Sequence, residues 1–159
     1  MLSLGSNLGD RRAHLHDALR LLAGEVDVIH VSSLYETAPV GIRDQPDFLN
    51  LAVAAESDRD PGDLLAAMKR VEHAVGRRPT FRWGPRVLDI DILVYGDRVI
   101  ETPELTIPHR GLANRAFVLV PLAEIAPNAV HPVLGETLAE LLEKVPGRES
   151  VRLAGDLST

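Results

Sequence analysis

Apolar positions change their period along this chain, and each change marks off an element. Leu2 and Leu4 alternate with Ser3 in a short strand that gives way to Gly5-Ser-Asn-Leu-Gly-Asp10. The opening Met1-Leu-Ser-Leu4 reads as a strand clipped at its start. Leu15, Ala18, Leu19 and Leu22 then recur at helical spacing, and Gly24 stands where a helix C-terminus favours glycine. Residues 26–35 read as one strand. Residues 37–47 form a turn-rich segment around Pro39, Gly41 and Pro46. Residues 48–55 carry a partly continuous apolar pattern, the mark of a strand buried on both faces. Asp60-Pro61 opens a helix, with Asp60 as N-cap and Pro61 at the first helical position. Leu64, Leu65, Met68, Val71 and Val75 supply its stripe, and Gly76 ends it.

Gly76-Arg-Arg-Pro-Thr-Phe-Arg-Trp-Gly-Pro-Arg86 follows, and it feeds directly into Val87-Leu-Asp-Ile-Asp-Ile-Leu-Val94. Read as a strand, that second run puts Leu88, Ile90, Ile92 and Val94 on one face and Asp89, Asp91 and Leu93 on the other. A turn at Gly96-Asp97 and a short strand at 99–100 come next, then a loop holding Pro108 and His109. Residues 114–126 are helical in part, with Pro121 opening a second helical turn rather than lying within one long helix. Thr137-Leu-Ala-Glu140 is a capping box that starts a final helix reaching about residue 145. The core order is strand–helix–strand–strand–helix–strand, with additions after it. It predicts an α+β fold of the ferredoxin-like, split βαβ kind: an antiparallel sheet with helices packed on its faces.

Composition narrows the picture. A chain of 159 residues reads as one domain over 1–159, long enough to bury about two-thirds of its unfolded surface. Its 45 % apolar and 25 % charged residues are ordinary for a globular protein. The formal net charge of −6 argues against general binding of nucleic acid, so the basic loop is a local device. The absence of cysteine excludes a disulfide scaffold, a Cys nucleophile and a Cys-ligated zinc site, and it suits a reducing compartment. No signal peptide or membrane-spanning run is legible, so the expected location is cytoplasmic, with no membrane partner.

Aspartate is depleted in strands, so two on one face of an apolar strand need a reason. Carboxylates roughly 6–7 Å apart along a strand can flank one or two Mg²⁺ ions. Arg77, Arg78, Arg82 and Arg86 just upstream would then hold the phosphates that Mg²⁺ accompanies. Taken alone, Asp-x-Asp equally describes two solvated aspartates, and a charged loop is most often simply solvated. Phe81 and Trp83 among the arginines favour a loop that closes over a flat heterocycle. Gly5-Ser-Asn-Leu-Gly-Asp10 lacks the lysine of a P-loop and also reads as a turn plus helix cap, by Asn7 or Asp10. His109, Arg110 and Arg115 form a second cationic group. Phe48 and Asn50 share a strand face, where the ring could stack on a heterocycle whose edge the amide reads, or could simply fill the core.

Taken together, these residues resemble the 6-hydroxymethyl-7,8-dihydropterin pyrophosphokinases of folate biosynthesis. The matching pieces are Leu4-Gly-Ser-Asn-Leu-Gly9, Ser33-Leu-Tyr-Glu-Thr37, Asp44-Gln-Pro-Asp-Phe-Leu-Asn50, Arg82-Trp-Gly-Pro-Arg-Val-Leu-Asp-Ile-Asp91, and Ile107-Pro-His109 through Arg115 and Phe117. They run in the family's order to about Pro127. The resemblance implies a ferredoxin-like fold; separately, the chain is expected to act as a monomer. It implies transfer of pyrophosphate from ATP to the pterin hydroxymethyl oxygen with release of AMP, using two Mg²⁺. It makes Asp89 and Asp91 the metal ligands and Arg77 and Arg86 the triphosphate clamp. Glu72, Ile92, Thr106, His109, Arg110 and Arg115 become further ATP contacts. The pterin would meet Thr37, Ala38 and Val40 through the backbone, Asn50 at its edge, Phe48 and Phe117 around its ring, and Trp83 in the lid.

Ala38, Phe48, Lys69 and Glu104 depart from residues common in the family. The loop between Gly76 and Trp83 is a residue shorter than in some members, which leaves open whether Arg78 or Arg82 faces phosphate. Two other classes compete. A nucleotidyltransferase also pairs Gly-Ser with Asp-x-Asp, but only a short helix apart, whereas three elements separate Ser6 from Asp89. A ferredoxin-like RNA or effector-binding module would need no Mg²⁺.

Overall fold

The computed structural model describes residues 1–41, 44–82 and 84–157. The predicted core order appears with its second strand divided in two: β1 (Leu2–Ser6), α1 (Arg11–Leu22), β2 (Asp27–Val31), β3 (Leu34–Thr37), β4 (Phe48–Glu56), α2 (Pro61–Val75) and β5 (Asp89–Ile92). After it come β6 (Ile100–Glu101), β7 (Thr106–Ile107), α3 (Ala116–Ile125), α4 (Leu138–Lys144) and β8 (Arg152–Gly155). The main sheet runs β5-β1-β4-β3-β8, with β2 also paired to β4, and every pairing is antiparallel. With β1 and β4 central and β5 outside β1, this is the split βαβ topology expected. β6 and β7 form a separate two-stranded ribbon.

The period of two along the strands sorts side chains into two cores. Leu2, Leu4, Leu49, Leu51, Ile90 and Ile92 face α1 and α2, where Leu15, Leu22, Leu64 and Met68 meet them. Ala52, Leu93 and Val94 belong to the second core, with Val118, Leu119 and Leu122 of α3 and Leu138 and Leu141 of α4. Helices therefore cover both faces. Each fully buried leucine contributes about 1.5–3 kcal/mol relative to an exposed one. No helix among the described residues is long and apolar enough to cross a membrane.

Helix ends follow their local signals. Asp60 caps α2 by accepting the Asp63 N–H at 3.0 Å, and Gly76 closes it at φ +126°. Thr137 and Glu140 form the capping box of α4. Asp10, not Asn7, caps α1 by accepting from Ala13 N–H. That helix ends at Ala23, and Gly24 does not take the positive φ that would call for glycine.

The strand expected at 26–35 is broken at Ser32-Ser33. The Ser32 hydroxyl accepts the Ala52 N–H at 2.8 Å, so a side chain takes a bond that the ladder would otherwise make. β2 and β3 then pair with successive parts of β4. Regular pairing in the 87–94 run is confined to Asp89–Ile92. Pro121 lies inside one continuous α3, contrary to the expectation of a fresh helical turn. Its cost, about 3 kcal/mol, is offset by burial of Val118, Leu119, Leu122 and Ala123 along the same helix. β8 was not anticipated; it adds to the sheet against β3.

Candidate active site

The sheet face turned away from α1 and α2 is only partly covered by α3, and a cavity of about 360 Å³ opens beside it. Register explains its floor. Gly5 of β1 stands between Asn50 of β4 and Asp89 of β5, and Ser3 stands opposite Asp91. A Cβ on Gly5 would lie 2.8 Å from Asn50 Oδ1 and 3.4 Å from Phe48 Cδ1, so glycine is what lets Asn50 lie across the floor. The Asn50 amide donates to Thr37 Oγ1 at 2.6 Å, which fixes its orientation.

Thr37, Ala38, Val40, Phe48, Asn50 and Phe117 all line this cavity, as do Arg77, Arg86, Asp89, Asp91, His109 and Arg115. Four residues carried over by resemblance do not. Glu72 is buried beneath the cavity, and Ile92 turns its side chain into the α1/α2 core, leaving only its backbone for a ligand. Thr106 pairs with Glu101 in the β6–β7 ribbon, and Arg110 is exposed. Trp83 lies outside the described residues. Arg78 turns back towards the end of α2, donating to the Arg77 carbonyl at 2.9 Å and to the His73 carbonyl at 3.5 Å.

The charges are already paired with one another. Arg77 Nη1 donates to Asp89 Oδ1 at 2.8 Å and to Glu72 Oε2 at 3.0 Å, and Arg86 Nη1 reaches the same Asp89 oxygen at 3.3 Å. Glu72 Oε2 also accepts the Ile90 N–H at 2.7 Å, which ties α2 to the strand bearing the aspartates. Lys69 Nζ lies 3.3 Å from Glu72 Oε1. Asp91 faces His109 Nε2 at 3.7 Å. Burial pushes its carboxyl up to about 7, and the Asp89 and Glu72 carboxylates add to this against Arg115 and Lys69. Burial and Arg115 hold the His109 pKa below its ordinary value. The Gly111 N–H donates to His109 Nδ1 at 3.0 Å, so the neutral ring carries its proton on Nε2, the nitrogen nearest Asp91.

Several contributors were not named as site residues from sequence: Ser3 and Gly84 in the lining, and above all Asn7. Asn7 exchanges both backbone and side-chain bonds with Arg86: its N–H donates to Arg86 O at 3.0 Å and its Oδ1 accepts Arg86 N–H at 2.8 Å. Its Nδ2 donates to Gln45 Oε1 at 2.8 Å and to Pro46 O at 3.0 Å. One buried amide thus joins the arginine segment to the chain leading into Phe48. The sequence signals were a polar residue in a glycine-flanked loop and its place in a family-matching piece, neither of which distinguishes this role from a helix cap.

Among the described residues, no group of three or more His, Cys, Asp or Glu is arranged to hold a metal ion. The Asp89/Asp91 pair suits a cation that takes one or two carboxylates from protein and the rest of its shell from phosphate and water, as Mg²⁺ does. Burial, with the Asp89 and Glu72 carboxylates, disfavours the charged form of Asp91, and such a cation would favour it.

The model for 7,8-dihydro-6-hydroxymethylpterin-pyrophosphokinase matches residues 1–127. The 2-amino-4-hydroxy-6-hydroxymethyldihydropteridine pyrophosphokinase of Aquifex aeolicus is 42 % identical over 139 residues, 87 % of either chain. Its counterpart in Haemophilus influenzae is 38 % identical over 154 residues, 96 % of either chain. Folic acid synthesis protein fol1 of Schizosaccharomyces pombe is 44 % identical over 154 residues, but the match spans only 21 % of that longer protein. Among solved structures, Plasmodium falciparum HPPK-DHPS A437G with STZ-DHP superposes with a TM-score of 0.74 at 20 % identity, over 90 % of this chain and 44 % of that one. That last likeness bears on the fold.

Proposed function

The chain belongs to the 7,8-dihydro-6-hydroxymethylpterin-pyrophosphokinase family, which moves pyrophosphate from ATP to 6-hydroxymethyl-7,8-dihydropterin and releases AMP in folate synthesis, and we propose that the cavity on the half-covered sheet face is where it does so. The observation that carries this assignment is the register Asn50–Gly5–Asp89. Two inter-strand spacings, about 10 Å, separate a ring-reading amide from a phosphate-side carboxylate.

In this reading Phe48 and Phe117 flank the pterin ring and Asn50, held by Thr37, reads its edge. An unpaired amide penalises a ring with the wrong pattern of donors and acceptors. The backbone at Thr37, Ala38 and Val40 borders the same end, and Trp83 belongs to the lid. Asp89 and Asp91 would hold two Mg²⁺. When bound, these ions neutralise triphosphate charge and align the displacement. Arg77 and Arg86 exchange Asp89 for the triphosphate oxygens, which offer the same charge-assisted acceptors. His109 presents an Nε2–H donor and Arg115 its guanidinium to the nucleotide. Arg110, Thr106 and the Ile92 backbone lie further out along it. Glu72 acts through its hold on Arg77 and on the Ile90 N–H. Holding the hydroxymethyl oxygen against the triphosphate in one cavity supplies the proximity term of the rate enhancement.

Residues 1–159 act as one pyrophosphokinase domain in this proposal, since α4 packs into the second core and β8 extends the sheet beyond the stretch matched by the family. We read the enzyme as a cytoplasmic monomer that binds neither nucleic acid nor membrane, supported by its acidic charge and lack of cysteine. The experiment is to incubate pure protein with ATP, Mg²⁺ and the reduced pterin alcohol. AMP and the pterin pyrophosphate are expected; ADP, or no turnover, would overturn the reading. Light scattering on the same sample tests the monomer.

A further inference from the structure

We infer that Gly111 is a positioning residue for the nucleotide side of the cavity, and that what the site requires of it is the absence of a side chain. The backbone does not demand glycine here: Gly111 has φ −88° and ψ 0°, open to any residue. The demand comes from Arg115. A Cβ on Gly111 would stand 2.4 Å from Arg115 Nε, 2.6 Å from Cζ and 2.8 Å from Cδ, too close for any carbon. The Arg115 side chain therefore lies directly on the Gly111 α-carbon, with its guanidinium 5.9 Å from the centroid of the Phe117 ring. With a methyl group at 111, Arg115 has to swing off this seat.

The same residue aims His109. The backbone of His109 is anchored by its N–H to Leu93 O at 2.8 Å and by its carbonyl, which accepts Leu112 N–H at 3.1 Å. Its ring is then fixed by the Gly111 N–H to Nδ1, which leaves Nε2 pointing into the cavity. Two ligand-facing groups from different turns thus take their direction from one glycine. The inference rests on the proposal that Arg115 and His109 meet the nucleotide, and it adds a residue that touches no ligand.

Gly111→Ala keeps the N–H and the backbone conformation and removes only the room. Turnover and binding of a non-hydrolysable ATP analogue with Mg²⁺ are measured for G111A, R115A and the double variant, alongside their melting temperatures. G111A is expected to lose roughly 10- to 100-fold in turnover, the scale of a small misplacement of a positioned group, while pterin binding changes little and the melting temperature holds. The double variant is expected to match R115A, since with Arg115 gone the added methyl has nothing to displace. Should G111A melt early because of the clash, the double variant recovers stability and still matches R115A. G111A within twofold of the parent while R115A is impaired, or losses that add in the double variant, would overturn the inference. R115A indistinguishable from the parent instead overturns the assignment of Arg115 to the nucleotide, and the inference with it.

Discussion

Arg77 holds Asp89 in a 2.8 Å ion pair, so the carboxylate proposed to bind metal and the arginine proposed to bind phosphate satisfy each other. Glu72 takes another bond from the same guanidinium nitrogen and lies buried behind it, keeping Arg77 in place. A free divalent cation has to compete with this cation for Asp89, whereas a cation arriving with a triphosphate brings the arginine a new acceptor.

Mg²⁺ alone is therefore expected to shift the melting temperature little, and Mg²⁺ with a non-hydrolysable ATP analogue to shift it by several degrees. Arg77→Ala reverses the first half: it leaves Asp89 with only the longer, 3.3 Å contact to Arg86 and tightens Mg²⁺ binding without nucleotide, while turnover falls by roughly 10²–10³-fold, the scale of losing one transition-state donor. Calorimetric titration of Mg²⁺ into both proteins checks this. Equal affinities would mean that the pair does not gate the metal.

Asp91 couples activity to stability with a definite sign. Its folded carboxyl is pushed up to about 7, above the ordinary carboxylate range, so the folded state binds the proton more tightly than the unfolded chain. This group's contribution is fully present at low pH and is lost as pH rises from about 4 towards 7. Asp91→Asn is expected to melt higher than the parent at pH 8, with the gap closing by pH 4, and to lose orders of magnitude in turnover. A variant less stable than the parent at pH 8 would show that the charged group is net stabilising.

Gly5→Ala tests the floor of the cavity. Its methyl meets Asn50 Oδ1 at 2.8 Å, and Asn50 is buried and tied to Thr37, so the amide cannot swing aside without breaking that bond. Pterin affinity is expected to fall by roughly tenfold or more, for a lost hydrogen bond of about 1.5 kcal/mol, with nucleotide affinity nearly unchanged. Separate titrations of the two ligands decide it.

His131 gives stability the opposite pH dependence. It is buried, and its Nδ1 accepts from both Val133 N–H at 3.2 Å and Leu134 N–H at 3.1 Å. Burial lowers its pKa, so the unfolded chain binds the proton more tightly and stability drops as pH falls below the ordinary histidine value of about 6.5. His131→Asn should flatten the acid side of the melting curve relative to the parent. The same slope in both proteins would assign the acid loss elsewhere.

The parts legible in the sequence are those whose cause is local. Asp60-Pro61, Gly76 and the Thr137–Glu140 box set helix ends by bonds a few residues long, and alternation alone placed Asp89 and Asp91 together on one strand face. What escaped depends on partners far along the chain. Ser32 breaks its strand through a bond to Ala52, and Pro121 is tolerated because of what α3 buries. β8 carries Leu153 exposed and shows no alternation to read. In the site, most of the residues named through the resemblance line one cavity, but the direct pairing of Arg77 with Asp89, the outward-turned Arg110 and the inward-turned Ile92 are matters of side-chain direction that spacing does not carry.

Asn7 holds the backbone of Arg86 with one end of its amide and the carbonyl of Pro46 with the other. On the proposed function, a shift of the arginine segment towards a nucleotide would pull, through that amide, on the chain entering the proposed pterin end. Whatever interaction free energy passes between the two loops is a property of the pair and has no direction. If ATP raises the affinity for pterin by some factor through this link, pterin must raise the affinity for ATP by the same factor, and replacing Asn7 must diminish both together.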